Sequence, residues 1–433
     1  MLRFLVWKTS RLLHVFKREG SSNAFGFVFN KVGDKIADYR NFALRRWQEK
    51  HLKEEFTSLW QAHVKKDNRK RVLLLVSSFF DLDGKIFMQG GAERYIIELN
   101  RIITALGGRL EVYQCGRANW HNTIHDISVF GLNTNGNNLY LLNRSFHSWV
   151  PAGCLTIYFQ MLLSTPRCNT PSICVSHGID WDAHWLQSNK SKYRSTIENI
   201  LSSINNVNRL VSVDTNTINW LRATNTTLAK KCVYIPNFVD VQQFRSAEKE
   251  QEEDLVILYP RRLSEARGFW LLAEIIPKLL EEWPNIKFHF CGIAESYEKI
   301  EITNLCNRYA GRVCWYDLPP DQMPSAYRRA DIVLVPTLYS EGTSLSCIEA
   351  LASRKAVIAT NVGGLPNIIL PGYNGLLIEP DKECLYNAIC CLIEDSVLRE
   401  NLAENGFKTA QVFNIDIWKQ RWEFELKPYL GLD

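Results

Sequence analysis

Two carboxylates, Glu341 and Glu349, stand with seven residues between them in the stretch YSEGTSLSCIEALA, residues 339–352. Gly342, Thr343, Ser344 and Leu345 follow the first acid, and Thr343 or Ser344 can cap a helix with its apolar face at Leu345, Ile348 and Ala352. Free amides at such an N-terminus favour an anion. Glu349 then lies about six residues into the helix, roughly 9 Å along its axis at ~1.5 Å per residue. Neither acid binds phosphate directly, but each can accept hydrogen bonds from a pair of sugar hydroxyls. The spacing therefore suits a ligand with phosphates at the helix start and hydroxylated groups on either side. An ordinary capped helix would carry the same pattern, so the rest of the chain must decide.

Other residues suited to phosphate chemistry sit elsewhere. The stretch PRRLSEARG brings Arg261, Arg262 and Arg267 together, and guanidinium forks bind phosphate oxygens with charge-assisted hydrogen bonds. Gly90 and Gly91 precede a helical pattern, where missing Cβ atoms let a diphosphate approach the backbone, although a simple turn would look the same. Gly363 and Gly364 in NVGGLP offer a second close approach. His177 in VSHGID is a lone histidine, readable as a core residue or as a site residue. The 12 cysteines are scattered without a CxxC pair, which argues against a zinc site or disulfide framework and for a reducing, cytoplasmic compartment.

The elements that must position these residues are legible from residue 71 onward. RVLLLVSSF is a continuous apolar run, the mark of a strand buried on both faces, and a glycine loop and the helical pattern YIIELNRIITALGG follow it. LEVYQCG, LTIYFQM, PSICVSHG and NRLVSVD read as further strands, and VYIPNFVD closes this half. A polar, charged break at residues 245–254 separates it from a second alternation: LVILYP, IKFHFCG, GRVCWYD, DIVLVPT and AVIAT. The expectation is an α/β protein with two Rossmann-like, doubly wound domains facing a cleft. Its divisions are an extension over 1–70, a first domain over 71–245, a second over 246–415, and a helix over 416–433 crossing back to the first domain.

The extension holds the positive charge. Residues 1–71 carry 17 Lys+Arg against 7 Asp+Glu, a net +10, which leaves −5 for the remainder of a chain whose total is +5. Its start, MLRFLVWKTSRLLHVFKR, reads as a basic amphipathic helix with Leu2, Leu5, Val6, Leu12, Leu13 and Phe16 on one face. It is too short of apolar residues to span a bilayer and lacks a signal-peptide cleavage pattern. One reading is attachment of residues 1–20 to an anionic membrane surface, on the inner face of the membrane. The other is a helical hairpin packed on the main body or on a second copy, giving a homo-oligomer. Nucleic acid is not expected, because no binding module accompanies the charge.

Taken together, Glu341-x7-Glu349 with GTSLSCIEALAS, VIATNVGGLPNII and PGYNGLLIEPD resembles the donor-binding core of retaining GT-B glycosyltransferases of the GT4 type. GGAER, SHG, IPNFVD and RRLSEARG fall in the order that family shows, and the resemblance covers roughly residues 71–425. It implies a GT-B fold and transfer of a sugar from a nucleoside-diphosphate donor to a glycan or lipid-linked acceptor, as in bacterial surface polysaccharide or lipopolysaccharide synthesis. It implies Glu341 on the donor sugar and His177 beside the transferred sugar. Glu349 would bind the ribose, while Arg262, Arg267, Gly90 and Gly91 would lie on the diphosphate, with no metal and no cofactor beyond the donor. The family's usual Gly-Arg-Leu and Lys-Gly are here Arg261-Arg262-Leu263 and Arg267-Gly268, which changes the phosphate-contact geometry. An epimerase or phosphorylase on the same architecture, or a non-catalytic scaffold, are the alternative readings.

Overall fold

The computed structural model describes residues 48–64, 68–179, 181, 188–245 and 254–431. The amphipathic start, with the membrane attachment expected of residues 1–20, and residues 246–253 of the charged break lie outside them. The chain divides into two units between Ala62 and His63. In the first, the described residues 48–62 are helical. The division comes earlier than the break expected at residue 70. No helix among the described residues is long and apolar enough to cross a membrane.

The second unit is built on two sheets. The first has eight strands: β1 (Lys70–Leu75), β2 (Gly108–Gly116), β3 (Trp120–Ile124), β4 (Ile127–Asn133), β5 (Leu155–Tyr158), β6 (Ser172–Ser176), β7 (Arg209–Ser212) and β8 (Cys232–Tyr234). Their order is β3-β4-β2-β1-β5-β6-β7-β8, parallel except for the β3–β4 hairpin. The second has six strands, all parallel: β9 (Leu255–Tyr259), β10 (Ile286–Cys291), β11 (Val313–Tyr316), β12 (Ile332–Val335), β13 (Ala356–Thr360) and β14 (Leu376–Ile378), in the order β11-β10-β9-β12-β13-β14. The sequence reading missed β3, β4 and β14.

Each sheet reverses its winding next to its first strand, between β1 and β5 and between β9 and β12. Ligands of open parallel sheets bind beyond the carboxyl ends of strands at such a reversal. The loops after β1, β6, β9, β12 and β13, with the helix starts that follow them, carry the residues singled out around the two acids.

Four helices matter to the site: α1 (Gly91–Ala105), α2 (Met323–Arg329), α3 (Leu345–Ala352) and α4 (Ile415–Leu430). α4 lies outside the second sheet's alternation and packs its apolar face on the first sheet domain. Trp418, Trp422, Leu426 and Leu430 share one buried cluster with Val72, Leu74, Tyr95, Leu99 and Ile103. The Trp422 indole N–H donates to the Tyr95 hydroxyl at 2.9 Å, and Arg209 on β7 grips Glu425 through both oxygens at 2.9 and 3.2 Å.

Candidate active site

Glu341 sits in the loop between β12 and α3, and its side chain is about 10% exposed. Its Oε2 accepts from the Arg261 guanidinium at 2.5 Å, from Arg267 Nη1 at 2.7 Å and from the Thr337 hydroxyl at 2.8 Å. Burial alone would push this carboxyl up, but Arg261, Arg267 and the hydrogen bonds outweigh it and hold Glu341 below the usual carboxylate range. The acid is thus fixed as an anion, with its three donors gathered on one oxygen.

Arg261, which the sequence reading gave no role at Glu341, is the buried partner of this acid. Arg261, standing where the family has glycine, is buried and bonded to Glu341 and to the Thr337 hydroxyl at 2.6 Å. Arg262 is exposed, and its charge is felt at Glu93 on the first turn of α1. Arg267 is about one-third exposed and also donates to the Ser340 carbonyl at 2.8 Å.

Glu349 is the fifth residue of α3. One oxygen accepts from Arg94 Nη1 at 2.6 Å and the other from the Tyr327 hydroxyl at 2.9 Å. Tyr327 comes from α2 in the same domain, whereas Arg94 comes from α1, across the cleft. Both were missed by the sequence reading. Arg94 lies within GGAER, one helical turn past the glycine pair, and nothing at Tyr327 signalled its role.

The two domains meet directly along this loop. Thr343 and Ser344 are buried, and Ser344 occupies the N-cap position of α3 without a side-chain capping bond. The Thr343 hydroxyl donates instead to the Val213 carbonyl of the first domain, which overturns its expected capping role. Asn237 Nδ2 donates to the Thr343 carbonyl at 2.7 Å, and the Ser340 hydroxyl to the Ile179 carbonyl at 2.9 Å. Gly178, at φ +116°, allows a close approach: a Cβ there would fall 2.9 Å from the Gly342 amide nitrogen. Gly91 likewise opens α1 hard against α3, since a Cβ there would lie 2.6 Å from Leu345 Cδ1. Gly90 is the N-cap of α1, and the Glu93 carboxyl turns back onto the amides of Gly90 and Glu93. In this arrangement the α1 N-terminus is filled by Glu93 and Leu345.

His177 follows β6 and packs against Phe159 and Tyr95, at ring centroid distances of 4.4 and 5.8 Å. Its backbone carbonyl would lie 2.5 Å from a Cβ on Gly342, so it borders the Glu341 loop. The surrounding walls strip solvent from the imidazole and push its pKa down to about 4, opposed by a hydrogen bond to the Phe159 carbonyl. The residue as a whole keeps contact with solvent. The neutral form holds at neutral pH, with one ring nitrogen on Phe159 and the other an acceptor.

Comparison with known proteins places these features in a family. Residues 240–409 match the profile of glycosyl transferases group 1. The chain is 28% identical over 170 residues to D-inositol 3-phosphate glycosyltransferase of Corynebacterium efficiens, covering 37% of this chain and 39% of that protein. It is 31% identical over 197 residues to lipopolysaccharide 1,2-N-acetylglucosaminetransferase of Salmonella typhimurium, covering 41% and 49% respectively. The match thus spans half or less of these curated relatives' length. Among solved structures, sucrose-phosphate synthase of Thermosynechococcus elongatus superimposes with a TM-score of 0.67 at 17% identity, over 83% of this chain and 99% of that one. Anabaena Alr3699/HepE in complex with UDP-glucose gives 0.65 at 18% identity, over 83% and 100%. The chain has the GT-B fold, and residues 240–409, in its second sheet domain, match the glycosyl transferases group 1 family.

Proposed function

We propose that the protein is a retaining glycosyltransferase that moves a sugar from a nucleoside-diphosphate sugar to a glycan or lipid-linked acceptor in cell-surface polysaccharide synthesis. The observation that carries this reading is the fixed anion at Glu341, held by Arg261 and Arg267 at the winding reversal of the donor-side sheet. The UDP-glucose bound to the HepE protein and the lipopolysaccharide substrate named for the Salmonella relative support the donor and acceptor classes.

In this reading Glu341 accepts hydrogen bonds from donor sugar hydroxyls beside the anomeric carbon, and Glu349 takes the ribose. Arg267, with part of its guanidinium open to the cleft, and the exposed Arg262 bind the diphosphate. Thr343, Ser344 and Leu345 bring the α3 N-terminus to it, and Gly90 and Gly91 bring that of α1 once the Glu93 carboxylate has turned off their amides. The anomeric carbon–phosphate oxygen bond breaks as the acceptor oxygen bonds to the same face of that carbon, and the acceptor's proton passes to the leaving phosphate oxygen. Charge grows on the diphosphate as the sugar becomes oxocarbenium-like, so preorganised guanidinium groups lower the barrier without a protein nucleophile. His177, neutral and next to the Glu341 loop, offers a hydrogen-bond acceptor to the transferred sugar. No metal and no separate cofactor enters this scheme. The basic residues 1–20 would hold the enzyme at an anionic membrane on its cytoplasmic face.

A screen of UDP-, GDP-, dTDP- and ADP-sugars by thermal shift, followed by product analysis with the stabilising donor, tests the assignment. Stabilisation by one donor class and a product that keeps the donor's anomeric configuration is the expected result. No stabilisation by any donor, or an inverted product, would overturn it.

A further inference from the structure

The ribose site is already occupied, by the protein itself. α1 and α3 face each other along one stripe: Gly91 lies against Leu345, and one turn on, Arg94 meets Glu349. Glu349 has a hydrogen bond on each oxygen, and its side chain is only 5% exposed. Two hydroxyls of a ribose could not reach it without displacing Arg94, because Tyr327 is on Glu349's own domain and buried.

Arg94 has a second acid within reach. Glu98 follows it by four residues on α1, on the same helix face, and interacts with the Arg94 charge. Glu98 Oε1 already accepts from Arg101 Nη1, whereas its buried Oε2 lies 3.4 Å from the Lys419 ammonium and accepts no hydrogen bond, so Oε2 is the open position. Both Arg94 and Glu98 line a cavity of about 520 Å³ that also touches Arg101, Asp240, Asp416 and Lys419, so the guanidinium has room to turn.

We propose that Arg94 is a two-position residue that competes with the donor's ribose for Glu349 and thereby sets nucleotide affinity. In the empty enzyme it bridges to Glu349 and closes the domains. When ribose hydroxyls take Glu349, it swings to Glu98 on its own helix. The exchange keeps every buried carboxylate answered in both states, which matters because a buried charge left without a partner is costly. The ribose role of Glu349 rests on the proposed function; the closing role of Arg94 does not.

The test combines nucleotide titration with solution scattering on the full chain. UDP, GDP, ADP and dTDP are each titrated calorimetrically against the wild type, Arg94→Met, Glu98→Gln and the double variant. Removing a competitor raises the fraction of binding-competent enzyme, so Arg94→Met should bind the preferred nucleotide about 5- to 20-fold more tightly. Glu98→Gln should weaken binding in the wild-type background and have no effect once Arg94 is methionine, a coupling that a merely structural role would not produce. Unliganded Arg94→Met should have a larger radius of gyration than the wild type. Weaker or unchanged binding by Arg94→Met, or additive effects of the two substitutions, would overturn the proposal. Should Arg94→Met fail to fold, Arg94→Gln carries the same expectations. If the wild type binds none of the four nucleotides, the function assignment fails, and the unliganded scattering comparison alone then decides the latch: an unchanged radius overturns it.

Discussion

Glu341 and Glu349 are buried in one loop–helix unit and both are answered by arginine, but the arginines come from different places. Those of Glu341 belong to its own domain, in the loop after β9, so the carboxylate keeps its charge and orientation whether the cleft is open or closed. That of Glu349 belongs to the opposite domain, so its surroundings change with closure. Under the proposed function, the group assigned to the reacting sugar is thus preorganised, whereas the group assigned to the nucleotide is linked to domain motion. Preorganisation favours the transition state and linkage controls affinity, which are separate ways of using one fold.

Three substitutions or titrations probe this contrast. The largest effect should come from Gly178→Ala, because the added methyl meets the Gly342 backbone at a residue with φ +116°. The seam between domains must shift there, and a displacement near 1 Å at the reacting groups costs about 100-fold in turnover. Steady-state kinetics should show that loss with the melting temperature changed far less.

Next comes Arg261→Met, which leaves Glu341 with Arg267 and Thr337 alone. Removing one partner of a buried ion pair costs roughly 3–5 kcal/mol when the charge left behind has no other partner, so with Arg267 and Thr337 still on Glu341 the loss, read by denaturant unfolding, should fall below that range. With one guanidinium gone, the Glu341 carboxyl should rise and the acid limb of the pH–turnover profile should move upward. Arg261→Lys, which restores the charge, should bring the limb most of the way back. An unmoved acid limb in Arg261→Met would separate Arg261 from Glu341's ionisation.

The smallest effect concerns His177. It takes up a proton near pH 6.5 in the unfolded chain and near 4 in the folded one. Between those values the unfolded state binds more protons, so stability present above pH 6.5 is lost as pH falls toward 4. His121 and His147, also held down to about 4 by burial, act in the same sense. His177→Asn should therefore flatten, and not abolish, the fall in melting temperature over that range.

Much of this architecture was legible because parallel strands buried on both faces leave continuous apolar runs such as LVILYP and DIVLVPT. The β3–β4 hairpin was not legible. Its edge strand is the polar WHNTI, and its turn uses His125 and Asp126 at positive φ of 49° and 61°, where an Asn-Gly pair would have announced it. β14 is only three residues long and leaves no pattern. At the site, the spacing of Glu341 and Glu349 located the loop and helix, and the arginine cluster was recognised as its neighbour. Which guanidinium faces which acid was not encoded locally. Arg261 and Arg262 are adjacent and alike in the sequence, and Arg94 meets a partner 255 residues away. Pairing across a domain interface depends on how the two sheets are brought together, and no local pattern records that.

The most direct measurement compares Glu341→Gln with Glu349→Gln, reading turnover and nucleoside-diphosphate affinity for each. The account predicts that Glu341→Gln lowers kcat by about 100- to 1,000-fold, the range for loss of one preorganised polar group, with nucleotide Kd within a few-fold of the wild type. Glu349→Gln should do the reverse, weakening nucleotide binding about tenfold and lowering kcat far less. Near-normal turnover by Glu341→Gln, or the same loss pattern in both variants, would contradict the division of labour between the two acids.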